Sequence, residues 1–168
     1  NLSQYNHKNV DAKSKPDNFQ HFEARFLTDT NKRYTMDDKI TIQQIRENPE
    51  IRTYIERADI SLKAMGYTEH SFAHVGIVSK VAGDMLRDLG HDEHTVELAR
   101  IAGWMHDIGN VVNRSDHAQS GAIMAFRILD KMGMPAEDVA AIIAAIGNHD
   151  EATAWPVSAV SAALIIAD

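Results

Sequence analysis

Apolar residues recur at three- and four-residue steps from about Thr41 to the end of the chain. This spacing places them along one face of an α-helix. A β-strand would instead show apolar residues at every second position. Two of the clearest stripes run through Val75, Val78, Ala82, Met85 and Leu89, and through Val139, Ile142, Ile143 and Ile146. No stretch combines alternating polarity with hairpin turn residues. The pattern predicts an all-α fold with one helical domain.

Capping residues, prolines and glycines divide this region into successive helical segments. Asn48-Pro49-Glu50 combines an N-cap residue, a proline at the first helical position and an acid in the first turn. The predicted segments begin near Asn48, Thr68, Asp92 or Glu93, Ser115, Pro135 and Pro156, and the first five end at Gly66, Gly90, Gly109, Gly133 and Gly147.

The two ends of the chain differ from the patterned region between them. Residues 1–35 are rich in polar residues and carry no apolar stripe of either period, so we expect a flexible N-terminal extension. Residues 36–168 then form the helical domain. The last apolar segment reaches Asp168 with neither a glycine cap nor a basic last turn, and we therefore expect the natural protein to continue beyond it.

Composition excludes several classes of function. The chain has 168 residues and no cysteine, so disulfides, zinc-thiolate sites and thiol nucleophiles are ruled out. A net charge of −7 argues against binding to nucleic acids, which depends on Lys and Arg. The longest mostly apolar run, Val157 to Ala167, is too short to cross a bilayer, and the polar N-terminus does not resemble a secretory signal. We expect a cytoplasmic protein with no membrane partner.

Several ionisable residues lie on the apolar stripes or at their ends. His74 precedes Val78 by four residues, and Asp168 follows Leu164 by four, which predicts that both side chains point inward. The full set of such residues is His74, His106, Asp107, His117, His149 and Asp168. Buried carboxylates are costly unless they are compensated, and a divalent cation can compensate all of these groups together.

Imidazole and carboxylate ligands without sulfur suit iron, manganese, cobalt or zinc. Six ligands exceed what one catalytic metal with open positions needs, and Asp107 could bridge a second ion, so a dinuclear centre is plausible. Each residue taken alone also fits an ordinary core histidine. His70, four residues before His74, could replace or support it, whereas Asp150 and Glu151 fit a solvated helix end.

These residues resemble the HD-domain superfamily of metal-dependent phosphohydrolases. The resemblance covers about 71–168 and rests on His74-Val75, then Trp104 to Gly109, then the later ligands in order. It implies an all-helical fold in which one metal is held by His74, His106, Asp107 and Asp168. By the same resemblance, His117 and His149 would hold a second metal bridged by Asp107. Family members with these two extra histidines commonly use iron or manganese, with cobalt, zinc, magnesium or nickel as further possibilities, and a homodimer is a family-level expectation.

Two departures from the family pattern bear on the substrate. Asn110 stands where many members have a lysine that contacts phosphate, and the Gly-Tyr-Pro signature of the cyclic-di-GMP subgroup is missing. The residues proposed to contact substrate are Asn110, Arg114, Arg127 and Lys80.

The resulting hypothesis is a phosphohydrolase in which the metal activates water and His106 and Asp107 are catalytic. Its substrate would be a small phosphorylated molecule, such as a nucleotide or another phosphate ester or anhydride. The first alternative is a mixed-valent di-iron oxygenase, because that branch of the superfamily has the same ligands. The second is a non-catalytic domain that senses a nucleotide.

Overall fold

The computed structural model describes residues 39–67 and 71–168, and within them the chain is helical without a strand. The all-α prediction is therefore confirmed. The predicted extension, residues 1–35, lies outside the described residues. The helices are α1 (Ile42–Glu47), α2 (Pro49–Ala64), α3 (Phe72–Asp88), α4 (Glu93–Met105), a 3₁₀ helix (Ile108–Val111), α5 (His117–Lys131), α6 (Ala136–Gly147) and α7 (Ala159–Ala167).

The sequence predicts some helix starts correctly. Helix α2 begins at Pro49, and the side chain of Asn48 accepts hydrogen bonds from the backbone N–H groups of Glu50 and Ile51. Helix α4 begins at Glu93, and the side chain of Asp92 accepts from the Thr95 N–H. In both cases a side-chain oxygen satisfies backbone donors that the first turn leaves open.

Other helix starts differ from the prediction because a different residue provides the cap. Ser71 caps α3, and the predicted start at Thr68 lies outside the described residues. Ser158, whose side chain accepts from the Ser161 N–H, caps α7 two residues after Pro156. Helix α5 follows Asp116 instead of Ser115, and Asp116 has a left-handed backbone with φ 57° that turns the chain into the helix.

Helix α4 ends earlier than predicted, at Met105 instead of near Gly109. The chain then turns through His106 and Asp107 into the 3₁₀ helix. This turn lifts the His-Asp pair out of regular helix and places it at the C-terminal end of α4. The early end of α4 thus positions two of the predicted ligands.

Close backbone contacts hold the elements around the site. Helix α4 crosses α3 at Gly103, where an added Cβ would lie 2.8 Å from the Ser79 Cα. At Gly109 an added Cβ would lie 2.0 Å from the His117 carbonyl oxygen and 2.5 Å from the Gly121 nitrogen. Only residues without a side chain permit these approaches. They bring α3, and the first turn of α5, directly against the segment that carries His106 and Asp107.

Buried apolar side chains from most of the described helices form one core, which includes Ile51, Val78, Ile101, Ile142 and Leu164. Helix α7 packs against α3, α4 and α6, while α5 packs against α6 and the 3₁₀ helix. Among the residues described, no helix is both long and apolar enough to span a membrane.

Candidate metal centre

The structure brings the six predicted ligands together between the helix ends. His74 lies near the start of α3, and His117 is the first residue of α5. The others follow the ends of their helices: His106 and Asp107 after α4, His149 after α6, and Asp168 after α7. His74 and His117 thus lie in regular helix, whereas the other four lie just beyond the ends of their helices, and the convergence of all six is as expected.

One half of the cluster contains His74, His106, Asp168 and one oxygen of Asp107. The two histidine Nε2 atoms are 3.2 Å apart, and Asp168 Oδ1 lies 3.1 Å from that of His74 and 3.3 Å from that of His106. Asp107 Oδ2 is 3.4 Å from His106 Nε2 and 3.7 Å from His74 Nε2. Ligands bound about 2.1 Å from a common ion are about 3.0 Å apart at right angles and about 3.4 Å apart in a tetrahedron. These distances match that spacing.

The other half contains His117, His149 and the second oxygen of Asp107. His117 Nε2 lies 3.2 Å from His149 Nε2 and 3.5 Å from Asp107 Oδ1. The His149 ring also lies edge-on to that of His106, with centroids 5.0 Å apart. The two oxygens of Asp107 thus face different halves of the cluster, and Asp107 connects them.

Main-chain carbonyls fix the protonation of three of the rings. The Nδ1 atoms of His106, His117 and His149 contact the carbonyl oxygens of the residues three positions earlier, at 2.9, 3.0 and 2.6 Å. A carbonyl oxygen only accepts hydrogen bonds, so each Nδ1 carries a proton. In a neutral ring, Nε2 then presents a lone pair.

This tautomer provides a test of whether a cation fits. With both Nδ1 atoms protonated, His117 and His149 direct two lone pairs at each other across 3.2 Å. Two acceptors cannot form a hydrogen bond, and such an approach is unfavourable unless a positive charge lies between or beside them. Arg114, whose Nη1 lies 3.2 Å from His117 Nε2, supplies part of this charge, and the nitrogen and carboxylate donors at this spacing also fit a metal ion. Among the described residues, the groups whose ligand atoms lie close enough together to hold one ion are His74, His106 and Asp168, and His106, Asp107 and His149.

The electrostatics of the two halves differ. Burial lowers the pKa of His106, but Asp107 and Asp168 outweigh burial and raise it to about 10. Burial raises the pKa of Asp168, but its contacts with His106 and His74 outweigh burial and hold that pKa well below its usual range. This half therefore attracts positive charge, which either a proton or a metal ion can supply.

In the second half, the two histidines stay neutral. Burial, followed by the charge of His106, lowers the pKa of His149 to about 4. Burial also lowers the pKa of His117, more strongly than Asp107 raises it. Both rings therefore present neutral nitrogen, which is the form that binds a metal.

The cluster opens into a pocket of about 350 Å³. Its lining residues are His74, Asp107, Arg114, His117, His149, Asp150, Glu151 and Asp168. Arg114 is the one Lys or Arg among these described lining residues, and its Nη1 lies 3.2 Å from His117 Nε2. Of the side chains predicted to contact substrate, only Arg114 lies in this pocket.

The other predicted substrate contacts lie elsewhere. Lys80 pairs with Asp84 on the exposed side of α3, and Arg127 pairs with Glu50, which joins α5 to α2. Neither lines the pocket, because their helices direct these side chains to the surface. Their predicted role in binding substrate is corrected accordingly.

Asn110 also differs from its predicted role. It is buried, and its Nδ2 donates to the backbone oxygen and to Oδ1 of Asp107, at 3.1 and 2.7 Å. Asn110 therefore contacts a predicted ligand and does not line the pocket. Its position after the His-Asp pair, in a tight 3₁₀ turn, folds the amide back toward Asp107.

Two acidic residues belong to the pocket although the sequence favours a solvated helix end for them. Asp150 and Glu151 line the wall, and Asp150 Oδ2 lies 3.7 Å from His117 Nδ1. The signal that could have identified them is their position directly after His149. His70, considered as an alternative to His74, lies outside the described residues.

Comparison with known proteins places this arrangement in a family. The HD domain family matches residues 71–167, which contain five of the six clustered side chains and end one residue before the sixth, Asp168. The crystal structure of a predicted HD superfamily hydrolase from an uncultured Thermotogales bacterium is similar, with a TM-score of 0.55 and 26% sequence identity over 76% of this chain and 72% of that one.

An uncharacterised protein of Methanocaldococcus jannaschii is 25% identical over 109 residues, which are 56% of this chain and 42% of that protein. The chain therefore spans less than half the length of this relative. The match of the HD domain to more than half of the chain, in an all-helical fold with the His-Asp pair at the centre of the cluster, shows that the chain belongs to the HD-domain family.

Proposed function

We propose that this chain is a metal-dependent hydrolase of the HD type that cleaves a phosphate ester or anhydride. The observation that carries the proposal is the division of Asp107 between the two halves of the cluster, with Oδ2 facing His74 and His106 and Oδ1 facing His117. A carboxylate with this placement can serve two ions, and paired ions are typical of centres that displace an oxygen at phosphorus. The Thermotogales neighbour, described as a predicted hydrolase, supports this direction.

The residues that would hold the ions follow from the geometry. His74, His106, Asp168 and Oδ2 of Asp107 would hold one, and His117, His149 and Oδ1 of Asp107 would hold the other. Bound divalent ions supply a water of lowered pKa and polarise a phosphoryl oxygen. Iron or manganese suits the mixed nitrogen and oxygen donors.

The protein side chains bind and orient the substrate. Arg114 lines the pocket beside His117 and can donate two parallel hydrogen bonds to a phosphoryl group. A pocket of about 350 Å³ lies at the small end of the usual range for ligand sites. We therefore propose a small phosphorylated substrate, such as a nucleotide, with its phosphate beside Arg114.

A screen of phosphate esters tests this function. The purified chain is stripped with a chelator, reloaded with Mn²⁺ or Fe²⁺ and incubated anaerobically with nucleoside phosphates and p-nitrophenyl phosphate. We expect phosphate release that requires the added metal and needs no oxygen. Metal-dependent oxygen uptake with an organic substrate, without phosphate release, would favour the di-iron oxygenase instead, and release unaffected by the chelator would contradict the proposal.

Replacing Arg114 with alanine should lower the catalytic efficiency, kcat/KM. In Arg114→Ala the backbone oxygen of residue 114 still accepts from His117 Nδ1, so the ring keeps its orientation. We expect kcat/KM to fall about 100-fold, as when one charged donor to a developing anion is lost. Lys80→Ala is the matched control, because it removes an exposed cation outside the pocket and should leave kcat/KM unchanged. Equal kcat/KM values for both variants would argue against a role for Arg114.

A further inference from the structure

The 3₁₀ helix places a buried amide against the carboxylate shared by the two halves of the cluster. Asn110 is 1% exposed, and its Nδ2 donates to Asp107 Oδ1 over 2.7 Å and to the Asp107 backbone oxygen over 3.1 Å. Two hydrogen bonds to atoms of the same residue fix that residue's side chain relative to its own backbone. The amide therefore restricts rotation of the Asp107 carboxylate.

The donor contacts one oxygen of the carboxylate and leaves the other facing the opposite half. Oδ1 receives the amide and faces His117, while Oδ2 faces His74 and His106. A carboxylate that rotates by a quarter turn would no longer present one oxygen to each half. The hydrogen bond from Asn110 thus favours the orientation in which Asp107 is divided between them.

An amide occupies this position although its other end is unsatisfied. Asn110 Oδ1 is buried, and in the described structure it has no hydrogen-bond partner. A buried acceptor without a partner is unfavourable, and an apolar side chain of similar size would avoid that cost. What an amide provides here and an apolar side chain does not is the pair of hydrogen bonds from Nδ2 to Asp107.

We propose that Asn110 is a positioning residue that sets the affinity of the second ion, held by His117 and His149, through the orientation of Asp107. The inference rests on the proposed function, because it assumes that the cluster binds two ions. Asn110 supplies no ligand and no charge. Its loss should leave the half containing His74, His106 and Asp168 able to bind, since that half keeps three ligands that do not depend on the amide.

Titration with Mn²⁺ alone tests this role without any assay of activity. The metal-free full chain and Asn110→Ala are titrated in parallel, with bound Mn²⁺ measured by equilibrium dialysis and magnetic coupling by electron paramagnetic resonance. We expect the first Mn²⁺ to bind with little change and the second about 10- to 100-fold more weakly, as is usual when a residue that orients a ligand is removed. With Mn²⁺ added at one equivalent per site, we expect the unaltered chain to show the spectrum of coupled ions and Asn110→Ala to show that of isolated Mn²⁺.

A matched control separates positioning from general destabilisation. Ser79 is fully buried and donates one hydrogen bond to the Arg100 carbonyl, which belongs to none of the six clustered residues. Ser79→Ala should lower stability but leave both Mn²⁺ affinities and the coupling unchanged. Two unchanged affinities in Asn110→Ala, an equal loss of both, or a similar loss in Ser79→Ala would each overturn the inference.

The same titration distinguishes this inference from the proposed function. If the unaltered chain binds two coupled Mn²⁺ ions but releases no phosphate from any ester, the function fails while the role of Asn110 is still decided by the variant. If the unaltered chain binds only one ion, the inference fails and a mononuclear hydrolase remains possible. If it binds none, both fail.

Discussion

Replacing Asp107 with asparagine is expected to reduce phosphate release by about a thousandfold or more, which corresponds to about 4 kcal/mol of transition-state stabilisation. The substitution keeps the size of the side chain but removes its charge and replaces one of its two acceptor oxygens with a donor group. Both halves of the cluster depend on this carboxylate, since Oδ1 lies 3.5 Å from His117 Nε2 and Oδ2 lies 3.4 Å from His106 Nε2. Initial rates of phosphate release and the content of bound metal measure the effect.

A carboxylate outside the pocket provides the comparison for Asp107→Asn. Asp59 pairs with Lys63 on α2, outside the pocket lining, so Asp59→Asn should retain the full rate and metal content. Circular dichroism establishes that both variants remain helical. An Asp107→Asn protein that is folded and retains more than about a tenth of the rate would remove this residue from the chemistry, because such a loss is only about 1.4 kcal/mol.

Adding a single methyl group at Gly109 should disrupt both the fold and the metal centre. An alanine Cβ would lie 2.0 Å from the His117 carbonyl oxygen and 2.5 Å from the Gly121 nitrogen. Both neighbours are backbone atoms of α5, so relief requires the helix to move away from the 3₁₀ helix. We expect Gly109→Ala to lower the free energy of unfolding by about 3 kcal/mol, at the upper end of the usual cost of overpacking.

The displacement of α5 would also carry His117 away from Asp107, so the affinity for metal should fall together with stability. Urea denaturation measures the free energy of unfolding, and Mn²⁺ titration measures the affinity for metal. Gly76 is the matched glycine, because an added Cβ there meets only the Trp104 ring, at 3.7 Å, and it lies within α3. Gly76→Ala should be neutral or stabilising by up to about 1 kcal/mol. A Gly109→Ala protein as stable as the Gly76→Ala protein would contradict the packing described here.

The sequence identifies some members of the cluster through helical periodicity, which relates them to the apolar core. His74 shares a face with the buried Val78, and Gly121, four residues after His117, is buried against the 3₁₀ helix. A residue on such a face must point inward, whichever helix it comes from. Helical faces therefore account for His74 and His117, whereas His106, Asp107, His149 and Asp168 reach the site because their helices end beside it.

Contacts between distant segments could not be predicted in this way. The pairing of Arg127 with Glu50 joins residues 77 positions apart, and no local pattern indicates it. The start of α5 differs from the prediction for a related reason, because the left-handed turn at Asp116, whose side chain forms no capping hydrogen bond, sets where the helix begins. The inward rotation of Asn110 likewise depends on the 3₁₀ turn, which replaces the last turn expected for α4.

The contacts of the three Nδ1 atoms affect how freely the surrounding sequence can vary. Because the acceptors are the main-chain oxygens of Gly103, Arg114 and Ile146, any amino acid at those positions provides the same acceptor. Side-chain replacement there leaves the imidazole tautomers as they are, provided that the backbone path is preserved. The imidazole tautomers therefore place no demand of their own on these side chains: Gly103 is constrained by its close packing against Ser79 and Ile146 by its burial in the core, while the nitrogen donors stay prepared for the ion.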